Sequence, residues 1–161
     1  MNLAINKQVF ELTKEGVEKL TTELDYLKDV KRPEVVQQLQ EARAQGDLSE
    51  NADYDSAREA QARMEARIKE IENILENYKL IRVSTNDNRV NTGKTVKIRF
   101  VESKKESTYR LVGTIEANPF NNLISNESPV GRALIGLEVG ETTEVRLENG
   151  NVFHIEVLEI S

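Results

Sequence analysis

From Thr13 to about Tyr78 the apolar residues fall into two narrow stripes, and no other feature of the chain restricts its fold so much. Val17, Leu20, Leu24 and Leu27 follow the three-four spacing of a coiled-coil seam. The seam loosens at Lys31-Arg32-Pro33, where a proline inside helical sequence predicts a kink or local break, and resumes with Val35, Leu39 and Ala42. A second stripe, Tyr54, Ala57, Gln61, Met64, Ile68, Ile71, Leu75 and Tyr78, keeps strict three-four alternation among charged and polar residues. Thr13 is placed to cap the first helix, with Glu15 in its first turn where the dipole favours an acid, and Gly46 is placed to end that arm. Two helices with one apolar stripe each and a connection of a few residues must fold back on one another, antiparallel. Each arm of about 25 to 30 residues extends roughly 40 Å at 1.5 Å per residue.

The pattern changes after Tyr78. "STNDNRVNTG", Ser84 to Gly93, is rich in turn formers. Beyond it "KTVKIRFV", "STYRLVGTI", "NNLIS", "TTEVRL" and "NVFHIEVLEI" read as short strands. "SPVGRALIGL" reads as a short helix with Ser128 as N-cap and Pro129 at its first position, and "ENGN" as a hairpin turn. The expected fold class is α+β in two domains: an antiparallel coiled-coil hairpin over residues 1–80 and a small α+β domain over 81–161, joined by a linker at about 81–91.

Composition excludes much chemistry. There is no cysteine and one histidine, His154, inside an apparent strand, so thiolate sites, zinc sites and nucleophilic triads lack parts. Gly131, Gly136 and Gly140 do not have the spacing of a phosphate-binding loop. No segment reaches the roughly 20 apolar residues of a membrane span, and "MNLAINKQVFELTKEG" lacks a signal-peptide core, so a cytoplasmic location is expected. The formal charge is −6. A protein that grips nucleic acid unaided carries a basic surplus, so no strong independent nucleic-acid binding is expected.

Against that background the bend between the helices gathers acids: Asp47, Glu50, Asp53 and Asp55. Asp47-Leu48-Ser49-Glu50 satisfies a capping box, which explains two of them structurally. The same Asp47 and Glu50 are also hard oxygen donors three residues apart, suited to a partial Mg²⁺ site whose remaining ligands come from another macromolecule. Arg43 and Arg58 flank the acids and could meet a phosphate backbone, or be ordinary solvated helix charges.

Three stretches, "LTKEGVEKLTTELDYLK", "KRPEVVQQLQEARAQGDLSENADYDSAREAQ" and "NLISNESPVGRALIGLEVGE", resemble the Gre family of bacterial transcription elongation (transcript cleavage) factors, in order and over nearly the whole chain. The acidic balance resembles the GreA branch more than the basic GreB branch. The resemblance implies that the second domain is FKBP-like and docks on the rim of the secondary channel of RNA polymerase, while the hairpin enters that channel. It implies that Asp47 and Glu50 help hold the polymerase's second Mg²⁺ near the RNA 3′ end of a backtracked complex. The polymerase then cleaves its own transcript, and the factor is no enzyme itself. It further implies that Arg43, Asn51, Tyr54 and Arg58 shape the tip or contact RNA, and that Asn126, Glu127, Ser128 and Pro129 form the docking region. No tight Mg²⁺ site is expected in the free protein, and no membrane partner. Asp55 departs from the histidine many relatives carry there. It keeps open an alternative, a channel binder that inhibits without promoting cleavage. A peptidyl-prolyl isomerase is the third reading, suggested only by the fold likeness of the second domain.

Overall fold

The structure is a computed structural model and describes residues 8–44, 52–84 and 87–161. It divides into two compact units, Glu15–Tyr78, and Phe10–Lys14 with Lys79–Ser161.

The first unit is the helical hairpin. Helix α1 spans Lys14–Tyr26, a single π-helical turn spans Leu27–Lys31, and α2 spans Arg32–Ala44. Opposite them α3 runs unbroken over Ala52–Glu76. The arms are antiparallel: Arg32 meets Glu65 near the middle, while Ala42 and Ala57 line one groove closer to the bend. The two stripes form the seam, with Leu20, Val35 and Ala42 buried from the first arm and Ala57, Met64, Ile68 and Ile71 from the second. Val35, Met64 and Ile68 make a small core that Leu24 and Leu27 close.

Three details differ from the sequence expectation. The break near Pro33 is not a loss of helix but a wider turn, in which the Arg32 N–H bonds to the Leu27 carbonyl five residues back. Helix α3 stops at Glu76, so Tyr78 starts a strand and is exposed instead of extending the seam. Ile74, which a strict three-four seam passes over in favour of Leu75, is fully buried while Leu75 is half-buried. The stripe is wider at that end than a two-per-heptad seam. The expected end of the first arm at Gly46 lies outside the described residues.

Ion pairs across the arms add to the seam. Arg32 binds Glu65 through two bonds of 2.8 and 2.7 Å, Arg67 binds Glu23 through two of 2.7 and 2.9 Å, and Lys28 lies 2.5 Å from Glu72. Such two-pronged pairs fix geometry as well as adding energy.

The second unit is built on a five-stranded sheet of β3 (Thr95–Phe100), β4 (Glu106–Val112), β5 (Leu123–Ser125), β6 (Thr142–Arg146) and β7 (Val152–Ile160), in the order β5-β4-β3-β7-β6. Only β4 and β5 are parallel. Val96, Ile98, Leu111, Val145, Ile155 and Val157 point to one face, where Leu134 of helix α4 (Pro129–Leu134) completes a fully buried core. A bulge in β7 opposite Lys97 and Ile98 inserts Leu158. It shifts the alternation by one, so that Ile160 packs on the core and Glu159 is exposed. The Asn-Gly turn joins β6 to β7, with Gly150 at φ 85°. The "GTI" of the second predicted strand is not strand: Gly113 precedes, and Thr114 and Ile115 open, a 3-10 turn over Thr114–Glu116.

The N-terminal contribution to this unit is not visible in the sequence pattern. Phe10–Leu12 (β1) pairs with Tyr78–Leu80 (β2), and the Ile81 N–H bonds to the Leu12 carbonyl at 2.7 Å. Leu12 is fully buried. Thr13, read as a helix cap, precedes α1 and also donates its N–H and hydroxyl to the two oxygens of Glu116, at 2.6 and 2.5 Å. Asp87–Asn91, inside the stretch read as linker, is bonded into the unit. Val90 is buried in the core, and the buried Lys94 ammonium donates to the carbonyls of Asp87 and Arg89.

Candidate functional site

Asp47, Glu50 and Asn51 lie outside the described residues. The structure describes what stands on either side of them. Arg43 is exposed in the last turn of α2, where a cation suits the carbonyl end of the helix. Asp53 and Asp55 are exposed in the first turn of α3, where acids suit the amide end. Tyr54, half-buried, carries the Arg58 guanidinium 6.0 Å above its ring centroid. That is the outer range of a cation–π contact. The two residues so bring an aromatic ring and a cation side by side near the start of α3. The half-burial of Tyr54 agrees with the seam position that its spacing predicts.

Ala42, Ala57 and Ala60, with Gln38, Glu41, Asp53 and Ser56, line a shallow groove between α2 and α3. Small side chains at the seam let helices approach closely. Towards the middle of the arms the seam instead carries Val35, Met64 and Ile68.

The segment Asn126–Pro129 is held by its own bonds. The Ser128 hydroxyl accepts the Gly131 N–H at 3.0 Å and donates to the Ser125 carbonyl at 2.7 Å, and Pro129 occupies the first turn of α4. Ser128 is therefore the cap that the sequence predicts. Glu127 is exposed and accepts the Thr114 hydroxyl at 3.0 Å. The Asn126 amide donates to Glu11 and Thr92, each at 3.4 Å. Gly131 cannot be larger, because a Cβ there would lie 2.0 Å from the Ser125 carbonyl oxygen.

Among the described residues no group of three or more His, Asp or Glu is placed to hold a metal ion. His154 is exposed on β7 and its Nδ1 lies 2.8 Å from Glu102, which also accepts the His154 N–H. This contact holds the Glu102 carboxyl below the usual carboxylate range. The aromatic side chains of the second unit divide between its core and its surface. Phe100 and Phe153 pack tilted at 5.7 Å against the core, Tyr109 joins them there, and Phe120 is 98 % exposed. Among the described residues no helix is long and apolar enough to cross a membrane.

Two family models cover the chain: one described as "Transcription elongation factor, N-terminal" matches residues 10–80, and one described as "Transcription elongation factor, GreA/GreB, C-term" matches residues 85–161. Curated relatives named transcription elongation factor GreA include that of Acholeplasma laidlawii, 53 % identical over 97 % of this chain and 99 % of the relative. That of Mesoplasma florum is 48 % identical over 93 % and 96 %, and that of Bacillus subtilis 43 % identical over 96 % and 98 %. Among solved structures, the GreA factor homolog 1 of Thermus thermophilus is 27 % identical over 96 % of this chain and 99 % of that one. The TM-score between the two is 0.44. The profile matches and the near full-length identities agree: the chain belongs to the GreA/GreB family of transcription elongation factors.

Proposed function

We propose that the chain binds RNA polymerase, enters its secondary channel with the α1–α3 hairpin, and stimulates the polymerase's own cleavage of the 3′ RNA in backtracked complexes, so that elongation resumes. The observation that carries the reading is the joint one. In a chain of this family, two long helices end at Ala44 and Ala52, on either side of the segment that contains Asp47 and Glu50.

Asp47 and Glu50 offer hard carboxylate oxygens, the donor type Mg²⁺ takes, but two side chains fall well short of six ligands. The donor set therefore fits an ion shared with a partner, and not a site closed by this chain. When held there, Mg²⁺ supplies the charge stabilisation that phosphodiester hydrolysis needs. Asp47 and Glu50 also orient the water beside the scissile phosphate. Arg58 beside the Tyr54 ring gives a surface for a base or sugar at the RNA 3′ end, with Arg43 available to phosphate from the other arm. Asn51 adds an amide that can donate to the same end. Asn126, Glu127, Ser128 and Pro129 form a firmly bonded corner suited to docking on the channel rim.

The acidic Asp55, exposed in the first turn of α3, favours a second reading: a channel binder that blocks the polymerase without promoting cleavage. Transcript cleavage in backtracked complexes separates the two, since the first requires release of short 3′ fragments and the second requires binding without release.

A further inference from the structure

The first arm contains one residue more than its seam can use. Leu20 to Leu27 is seven residues and Val35 to Ala42 is seven, but Leu27 to Val35 is eight. At about 100° per residue, seven residues fall about 20° short of two turns, a drift that coiled coils absorb. Eight overshoot by about 80°, which in a regular helix would turn Val35 and Ala42 out of the seam that Leu20, Leu24 and Leu27 face. Yet Val35 packs with Leu24, Leu27, Met64 and Ile68 in one core.

The π-turn resolves the mismatch. Between Leu27 and Arg32 the bond runs five residues back, so this turn takes in an extra residue. Of its five residues only Leu27 packs on the core, none is fully buried, and Val30 is well exposed. Helix α3 has no corresponding irregularity. Pro33, which has no N–H to continue a ladder, follows directly. Downstream, the Arg32–Glu65 pair fixes the resumed helix against α3, and upstream Glu23–Arg67 fixes the helix before it.

We propose that the Leu27–Lys31 turn is a phase-compensating joint: it takes up one residue so that α1 and α2 bury their stripes on the same face of α3, and it thereby sets the rotation at which α2 presents Arg43. The joint is the place in the hairpin where one residue can be removed without turning the seam. The part of this proposal that concerns Arg43 rests on the functional reading above.

The test compares single-residue deletions in the full chain. Deleting Asp29 shortens the spacing from Leu27 to Val35 from eight to seven, and the turn closes to a regular helix. This variant melts at or above wild type by its helical signal and retains the activity that wild type shows on backtracked polymerase. Deleting Gln37 lies beyond the joint, rotates Leu39 and Ala42 by about 100° and has no wide turn to absorb it. That variant melts lower, by more than about 5 °C. Deletion of Asp29 lowering the melting temperature as much as deletion of Gln37, or failing to fold, would overturn the proposal. Deletion of Gln37 without effect would overturn it as well. If wild type stimulates no cleavage, the melting comparison still decides the joint, and the functional reading alone fails.

Discussion

The Arg67 guanidinium grips the Glu23 carboxylate with both prongs, Nε to Oε1 at 2.7 Å and Nη2 to Oε2 at 2.9 Å, and so ties α3 to α1 across the hairpin. The two side chains are 39 % and 40 % exposed, so water screens much of their attraction. Arg67→Ala is expected to lower stability by about 1 kcal/mol or less. Arg67→Lys recovers only part of it, because an ammonium cannot reproduce the fork. Urea melts of the helical signal measure both, and the gap from wild type narrows at high salt.

The same pairs set an acid limit. Hydrogen bonding to Arg67 holds the Glu23 carboxyl below its ordinary value, and hydrogen bonding to Arg32 does so for Glu65. A carboxyl with a lowered folded-state pKa contributes stability above its unfolded value and loses it as pH falls through the folded one. The unfolded value is about 4.3, so the hairpin keeps its melting temperature from neutral pH to about pH 5 and loses it progressively below about pH 4. In Arg67→Ala the part of that decline due to Glu23 is absent. A rise in melting temperature on acidification would contradict the assignment.

Gly113 is set by space and not by conformation. Its φ is −66°, open to any residue, but a Cβ would lie 2.1 Å from the Glu11 carbonyl oxygen. Gly113→Ala must push β1 away from the turn that follows β4 within the second unit, at about 1–3 kcal/mol. Hydrogen exchange of the Ile81 amide, bonded to Leu12, reads the displacement directly by speeding up. Gly150→Ala is the control: φ is 85° and nothing lies within 4 Å, so only the backbone cost of about 1 kcal/mol is expected.

How much of this was legible depends on which periods a sequence can carry. The two stripes as far as Ile71, the five strands of the main sheet apart from the tail of the second, the Ser128-Pro129 cap and the Asn-Gly turn follow from local chemistry and stand where the residues place them. The pairing of β1 with β2 joins segments more than sixty residues apart, and three-residue strands carry no periodicity, so nothing in "FEL" or "YKL" announces it. The eight-residue gap between Leu27 and Val35 was readable as a fault in the seam, but a proline suggested a kink before a wide turn. Arg32–Glu65 and Arg67–Glu23 depend on the relative stagger of the arms, which charge-rich helices do not fix locally. Of the candidate site, Arg43, Tyr54, Arg58 and Asn126–Pro129 are placed by the structure, while Asp47, Glu50 and Asn51 rest on sequence alone.

The central claim is tested most directly by transcript cleavage in a backtracked elongation complex, with wild-type protein, Asp47→Asn and Glu50→Gln, and with binding to polymerase followed in parallel. The account predicts that wild type releases short 3′ RNA fragments while both variants bind equally well and release at least about tenfold less, the effect of about 1.4 kcal/mol in the barrier. Wild-type protein that binds without raising cleavage above that of polymerase alone, or variants as active as wild type, would contradict it.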